Sequence, residues 1–402
     1  MTNGKLGHIL SRVKTLPTLP IVVYKLLRLI ESPTSTAQEL SEVVAKDQAL
    51  TARILRLVNS SFYALRSEVV RISHAIALLG FVAIRNLALG LSVVDMFGRD
   101  RESPEFHGEA VWEHTLCCAT CARLIAERAS YTPIEEAFVA GLLHDIGKLV
   151  LFDHFREQFD TALRAAREDM IPLHRAEQFL FDTDHAEIGG ALAEHWRLPK
   201  RLRGPIRGHH EFCEHDKLTS IVYLANALSK AKLIGSAGNL LLEPLDERTL
   251  KAVGLDEAAV VRLMGRLRRE VERAKLFVTL SGAPRRASSE QLDTDEIRVP
   301  GSTATRILII GQQHSATSLV ELVLLDHGHT TYRTTDPLHH AADAADLVLL
   351  DYPAQGLEQG RALRAQLEGC LEQRVPVVLL PSPRRASDVL DAVNAALDEA
   401  RV

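Results

Sequence analysis

From residue 20 to about residue 278 apolar side chains recur at helical spacing, with few alternating runs that could be strands. A chain patterned this way buries its apolar stripes by packing helix on helix, so the region is predicted to be an all-α bundle. The starts and stops agree. "STAQELSEVVAKD" carries a capping-box pattern at Thr36 and Glu39, "DQALTARILRLVNSS" opens on Asp47, and "SHAIALLG" opens on Ser73 and stops at Gly80. Further helices are predicted in "FVAIRNLALGLSVVDMF", "EHTLCCATCARLIAERA", "IEEAFVAGLLHDI", "HAEIGGALAEHW" and "LTSIVYLANALSKAKLI". The mixed charges of "RLMGRLRREVERAK" give the last helix a solvent face, or one that meets a partner.

After Leu280 the pattern changes. "SGAPRRASSEQLDTDEIRVPGSTAT" has no sustained period and is rich in Ser, Thr, Pro and Gly, as a linker is. From Arg306 onward "RILIIG", "DLVLLD" and "VPVVLLP" are short continuous apolar runs, separated by the helical patterns "SATSLVELVLLDHG" and "QGRALRAQLEGCLEQ". Strands buried on both faces read in this way, so a parallel sheet flanked by helices is predicted. The expectation is a multi-domain chain: an all-α bundle over residues 1–278, a flexible linker over 279–305 and a small flavodoxin-like α/β domain over 306–402.

Composition narrows the function classes. The 402 residues are 46% hydrophobic and 25% charged, with a formal net charge of -5, which gives no global attraction to nucleic acid or to anionic membrane. The start "MTNGKLGHILSRVKTLPTLP" lacks the apolar core of a signal peptide, and no apolar stretch is long enough to span a bilayer, so a cytoplasmic protein is expected. Three of the five cysteines crowd into "CCATC" at Cys117, Cys118 and Cys121, which is no disulfide framework. They share a helix face with His114, yet seven residues of helix rise about 10 Å, too far for four ligands on one tetrahedral ion. Small reduced core residues are the expectation.

The chemistry is concentrated around "GLLHDIGKL", residues 141–149, where His144 and Asp145 stand side by side ahead of Lys148. The same region holds His114, His185, His209 and His210. Imidazole nitrogen and carboxylate oxygen suit zinc, iron and manganese, and an ion so held could supply hydroxide and neutralise a phosphate oxygen. The alternative is a buried set that only hydrogen-bonds helices together. "PKRLRGPIRGHH" gathers Lys200, Arg201, Arg203 and Arg207. With Lys148, Arg203 and Arg207 are the candidates for holding phosphate, and a solvated basic loop is the alternative.

The order of His114, the His144-Asp145 doublet and the later histidines resembles the HD phosphohydrolase superfamily. Its closing aspartate position falls in "YLANALSK", where Asn226 stands. An amide oxygen still coordinates metal but brings no charge, so affinity and the basicity of a bound water should both fall. Leu19-Pro20, Asp47 to Leu50, Asn59-Ser60 and Ala75 to Gly80 resemble the HDOD branch, a match running from about Leu16 to Lys230 with its HD-like part over about 105–235. The resemblance implies a signalling or regulatory module. A "GYP" tripeptide, the mark of the branch that hydrolyses cyclic di-GMP, is missing.

The tail resembles a response-regulator receiver, since "DLVLLD" places Asp351 where that family carries its phosphoacceptor. Gly311, Gln312 and Gln313 stand where the family needs an acidic pair for magnesium, and no lysine follows "VPVVLLP". A degenerate receiver with a vestigial Asp351 is the implied reading. Three functions follow. The favoured one is a regulatory adaptor that contacts other signalling proteins, such as kinases or cyclic-dinucleotide enzymes, with the tail modulating access or dimerising. The second is a metal-dependent phosphohydrolase acting on a nucleotide or cyclic dinucleotide, with His114, His144, Asp145, His185, His209, His210 and Asn226 as ligands to Fe, Mn or Zn. The third is a sensor that binds a nucleotide without turnover.

Overall fold

The computed structural model describes residues 21–31, 34–59, 63, 65, 67–94, 101–236, 238, 241–279, 305–311, 319–327, 329–334, 345–352, 361–365, 367, 375–381 and 386–399. Leu19-Pro20, Ser60, Gln312, Gln313 and nearly all of the expected linker lie outside them. Two compact units emerge. The first comprises Met1–Lys230, Ile234–Asn239 and Arg248–Gly282, and the second Ala231–Leu233, Leu240–Glu247 and Ala283–Val402.

The first unit is helical. Its elements are α1 (Ile21–Glu31), α2 (Ala37–Ala45), α3 (Gln48–Asn59), α4 (Ile72–Leu79), α5 (Phe81–Val94), α6 (Gly108–Arg128), α7 (Ile134–Leu143), α8 (Gly147–His154), α9 (Arg156–Glu168), α10 (Leu173–Phe181), α11 (His185–His195), α12 (Lys200–Gly208), α13 (Lys217–Ala231), α14 (Arg248–Val253) and α15 (Glu257–Thr279). The capping box before α2 is formed: the Glu39 N–H donates to Thr36 Oγ1 (3.2 Å) and the Thr36 N–H to Glu39 Oε2 (2.8 Å). Asp47 Oδ1 accepts the Leu50 N–H (2.9 Å), and Gly80 ends α4 at φ +92°, a conformation that disfavours any side chain. One expected start is corrected. Arg71, not Ser73, precedes α4, and it makes no side-chain cap.

Apolar spacing explains the packing. On α9, Phe159, Ala162, Leu163 and Ala166 form one buried stripe; on α15, Val260, Leu263, Met264, Leu267, Val271 and Ala274 do the same, leaving an exposed basic face. α7 is buried from Glu136 to Leu143 and packs against α5, α6 and α12. Small residues let it come close. A Cβ on Gly141 would lie 2.6 Å from the Ala119 Cα of α6.

The helix through "HDI" is also corrected. α7 stops at Leu143, His144 to Ile146 form a turn, and α8 starts at Gly147. Bonds from the Ile146 N–H to Leu143 O (3.1 Å) and from the Lys148 N–H to Asp145 O (3.0 Å) close that turn. Both bonds span three residues, as in a 3-10 turn, and His144 Nε2 and Asp145 Oδ2 come within 3.3 Å of each other there. α8 then runs against α11, because a Cβ on Gly147 would collide with the His185 carbonyl.

The second unit carries four parallel strands, β1 (Arg306–Gly311), β2 (Thr330–Thr334), β3 (Leu347–Tyr352) and β4 (Val377–Pro381), in the order β2-β1-β3-β4. Ile307 to Ile310 and Leu347 to Leu350 are all buried, as inner parallel strands require. Leu308, Ile310, Val348 and Leu350 share a core with Leu367. α16 (Leu319–Asp326) packs on β2, α17 (Ala386–Glu399) packs on β3 and β4, and the two helices meet. β2 and α17 are additions to the expected elements. Asp351 lies beside Gly311 across the β1–β3 pair. Among the described residues no helix is long and apolar enough to cross a membrane.

Candidate metal centre

Asp145 is the hub of a buried polar cluster. Its Oδ2 lies 3.3 Å from His144 Nε2 and 3.9 Å from His114 Nε2, while its Oδ1 lies 3.2 Å from His185 Nε2 and 3.5 Å from His209 Nε2. His210 Nε2 is 2.9 Å from His185 Nε2. Two of the groups whose ligand atoms lie within 4.8 Å of one another are His114, His144 and Asp145 on one side and His185, His209 and His210 on the other. They come from α6, the α7–α8 turn, the start of α11 and the end of α12.

Helix ends explain why the rings point inward. His144 follows α7 and donates Nδ1–H to the Gly141 carbonyl (2.7 Å); His209 follows α12 and donates Nδ1–H to the Ile206 carbonyl (3.0 Å). The last carbonyls of a helix lack intrahelical partners, and a carbonyl only accepts, so each contact assigns a proton to Nδ1 and leaves Nε2 facing the cluster. His185 is held differently. Its Nδ1 and its main-chain N–H both donate to Glu177 Oε2, at 2.6 and 2.8 Å.

Charge follows the surroundings. Burial pushes His114 and His210 well below the ordinary imidazole range and His209 down to about 3. At His144 burial acts the same way, but the Asp145 carboxylate outweighs it and raises the group to about 10. At His185 Glu177 outweighs burial and raises it to about 9. Burial opposes the charge on Asp145, yet His144 and Lys148 hold it well below the usual carboxylate range; Lys148 Nζ donates to its Oδ2 at 2.6 Å.

The donor set fits a divalent metal. His114 Nδ1 and Nε2, His144 Nε2, Asp145 Oδ1 and Asn226 Oδ1 are buried without a hydrogen-bond partner. Each such atom costs about 1–3 kcal/mol when nothing compensates it, and a cation takes up those among them that present a lone pair. Nitrogen and carboxylate oxygen are the ligands of zinc, iron and manganese. Lys148, Leu173, His174, His185, His210, Asn226 and Lys230 line a cavity of ≈ 10 Å³ beside the cluster. That is room for about one water.

The profile of the HDOD domain matches residues 16–212. This region is an HDOD domain. An HDOD domain protein of unknown function from Geobacter sulfurreducens is 27% identical with a TM-score of 0.58, covering 68% of this chain and 97% of that one. A Shewanella amazonensis SB2B protein provisionally named a phosphohydrolase is 25% identical with a TM-score of 0.52, covering 67% and 97%. A Marinobacter aquaeolei VT8 protein shares the fold, at 23% identity and a TM-score of 0.54 over 70% of this chain and 66% of that one. An uncharacterized protein of Treponema pallidum (strain Nichols) is 28% identical over 225 residues, 55% of this chain; the match spans 43% of that protein's length.

Within the helical unit the fold gathers His114, His144, Asp145, Lys148, His185, His209, His210 and Asn226. It does not gather the two arginines. Arg203 Nε donates to the Leu198 carbonyl (2.8 Å), and Arg207 pairs with Glu194 (3.1 Å) and Glu187 (3.4 Å). Cys117, Cys118 and Cys121 are buried thiols that form no disulfide, and burial raises Cys121 well above the ordinary thiol range. Sequence reasoning misses Glu177 and His174. The signal present is a charged residue inside the apolar period of "LHRAEQFLF", the kind of position where a buried charge needs a partner.

Proposed function

We propose that the chain is a metal-binding signalling module that acts through protein contacts rather than turnover. The observation that carries this reading is the set of pinned imidazoles, whose Nδ1–H groups are fixed from behind and whose Nε2 atoms converge with Asp145. Asp145, His144 and His114 would hold one divalent ion, and His185, His209 and His210 a second, with Asp145 reaching both. When bound, such an ion polarises water and neutralises an oxyanion. The chain's own residues favour holding over turnover: Asn226 supplies an amide where the related hydrolases have a carboxylate. Partners are other signalling proteins, including kinases and cyclic-dinucleotide enzymes, or a second copy of the chain.

The sheet unit supports the same reading. Its β2-β1-β3-β4 order is that of the first four strands of a receiver-like, flavodoxin-type sheet, and Asp351 stands at the carboxyl end of β3. Gly311 beside it brings no carboxylate for magnesium, which suits a contact domain over a phosphoacceptor.

Elemental analysis of the purified chain beside His144→Ala tests the metal. Stoichiometric iron, manganese or zinc in the first and a large loss in the second is the expected result; a chain that neither carries nor takes up these ions overturns it. A phosphohydrolase is the second reading, favoured by Lys148 at the cavity wall and by the Shewanella amazonensis relative's name. Hydrolysis of a nucleotide or cyclic dinucleotide by the metal-loaded chain, abolished in His144→Ala, would decide for it.

A further inference from the structure

His185 differs from His144 and His209 in what stands behind its ring. Those two end their helices and donate to a carbonyl three residues back. His185 opens α11, where its own helix offers no such carbonyl, and a carboxylate from α10 takes that place. Glu177 is 0% exposed. One oxygen, Oε2, receives both the ring Nδ1–H and the main-chain N–H of His185, so a single atom holds the ring and the first N–H of α11. Its other oxygen, Oε1, is buried without a hydrogen-bond partner. α10 also carries His174, whose ring stacks on His210 at 4.3 Å and 23°. Two of the three imidazoles on this side of the cluster are thus braced by α10, whereas His114 and His144 belong to α6 and the end of α7.

We propose that Glu177 is a positioning residue for one ion of two: it selects the Nδ1–H tautomer of His185 and aims Nε2 at the space shared with His209 and His210, making that group a metal site separable from His114, His144 and Asp145. The inference rests on the metal reading above. A carboxylate behind a ligand imidazole fixes its tautomer and strengthens it as a donor, and losing such a partner typically weakens metal binding by about 10–100-fold. The loss falls on one ion, because the partner of His144 is the Gly141 carbonyl and is untouched.

Titration of the full chain with Co²⁺, followed by visible absorption, tests this directly. Two binding steps are expected for the wild type. Glu177→Gln keeps an acceptor oxygen and removes the charge; it should weaken one step about 10–100-fold and shift that step's absorption band, with the other step and the far-ultraviolet circular dichroism unchanged. Glu177→Asp keeps the charge one methylene further back and should recover part of the loss; it also carries the comparison if the glutamine variant does not fold. Wild-type affinity for both steps in Glu177→Gln overturns the proposal, as does equal weakening of both steps. A wild type that binds no Co²⁺ is a different failure, since the metal reading then falls first.

Discussion

Protons and metal compete for the same nitrogens. In the ion-free protein His144 and His185 hold protons up to about 10 and about 9, against about 6.5 for a free imidazole. A group raised on folding adds stability that is complete below its unfolded value and lost as pH rises through its folded one. The melting temperature of metal-free protein should therefore fall between about pH 7 and 10 as far as these two groups control it. Metal affinity should rise over the same range, because ligands bind deprotonated and each ion releases protons. Calorimetry in buffers of different ionisation enthalpy measures that release, and affinity that falls with rising pH contradicts it. Asn226 offers the converse test. Its Oδ1 is buried and unpartnered at the cavity wall, so Asn226→Asp adds a charge where an ion would feel it and should tighten metal about tenfold or more.

Helix ends and close approaches carry those side chains into register. Gly147→Ala would force a Cβ into the His185 carbonyl and push α8 off α11, at a cost of about 1–3 kcal/mol. Because Asp145 and His185 sit on the two sides of that contact, the variant should lose metal as well as melting temperature. Asn59→Ala provides the contrast. Asn59 Nδ2 donates to the Val69 carbonyl (2.7 Å) and Oδ1 accepts the Val69 N–H (2.6 Å), tying the end of α3 to the approach to α4 with no bond to a ligand candidate. Its loss should cost about 1–2 kcal/mol and leave metal uptake intact. The helices were legible because a buried stripe imposes a 3.6-residue period, as on α9 and α15. β2 was not, since "TTYRT" has the polar face of an edge strand. The break at His144 was hidden too: "AGLLHDIGKLVLF" is apolar on all sides, so no period marks where one helix stops.

His114, His144, Asp145, His185, His209, His210 and Asn226 all lie in the helical unit, so metal bound by them should stabilise that unit. At a hundred times the dissociation constant one ion adds about 2.7 kcal/mol, and a chelator removes it. Thermal unfolding with and without chelator should show a shift in the helical transition followed at 222 nm; an unchanged curve would count against a bound ion. The sequence alone settled the residue chemistry and the change of architecture at the linker, because donor types and hydrophobic periods are properties of the chain read in order. It gave His114, His144, Asp145, His185, His209, His210 and Asn226 without saying which faced which. Tertiary structure decided that Asp145 divides its oxygens between two groups, that Glu177 stands behind His185, and that Arg207 turns to Glu194 instead. Those pairings join residues on separate helices. A hydrogen bond holds only over about 3 Å, and which atoms come that close is set by how the helices pack.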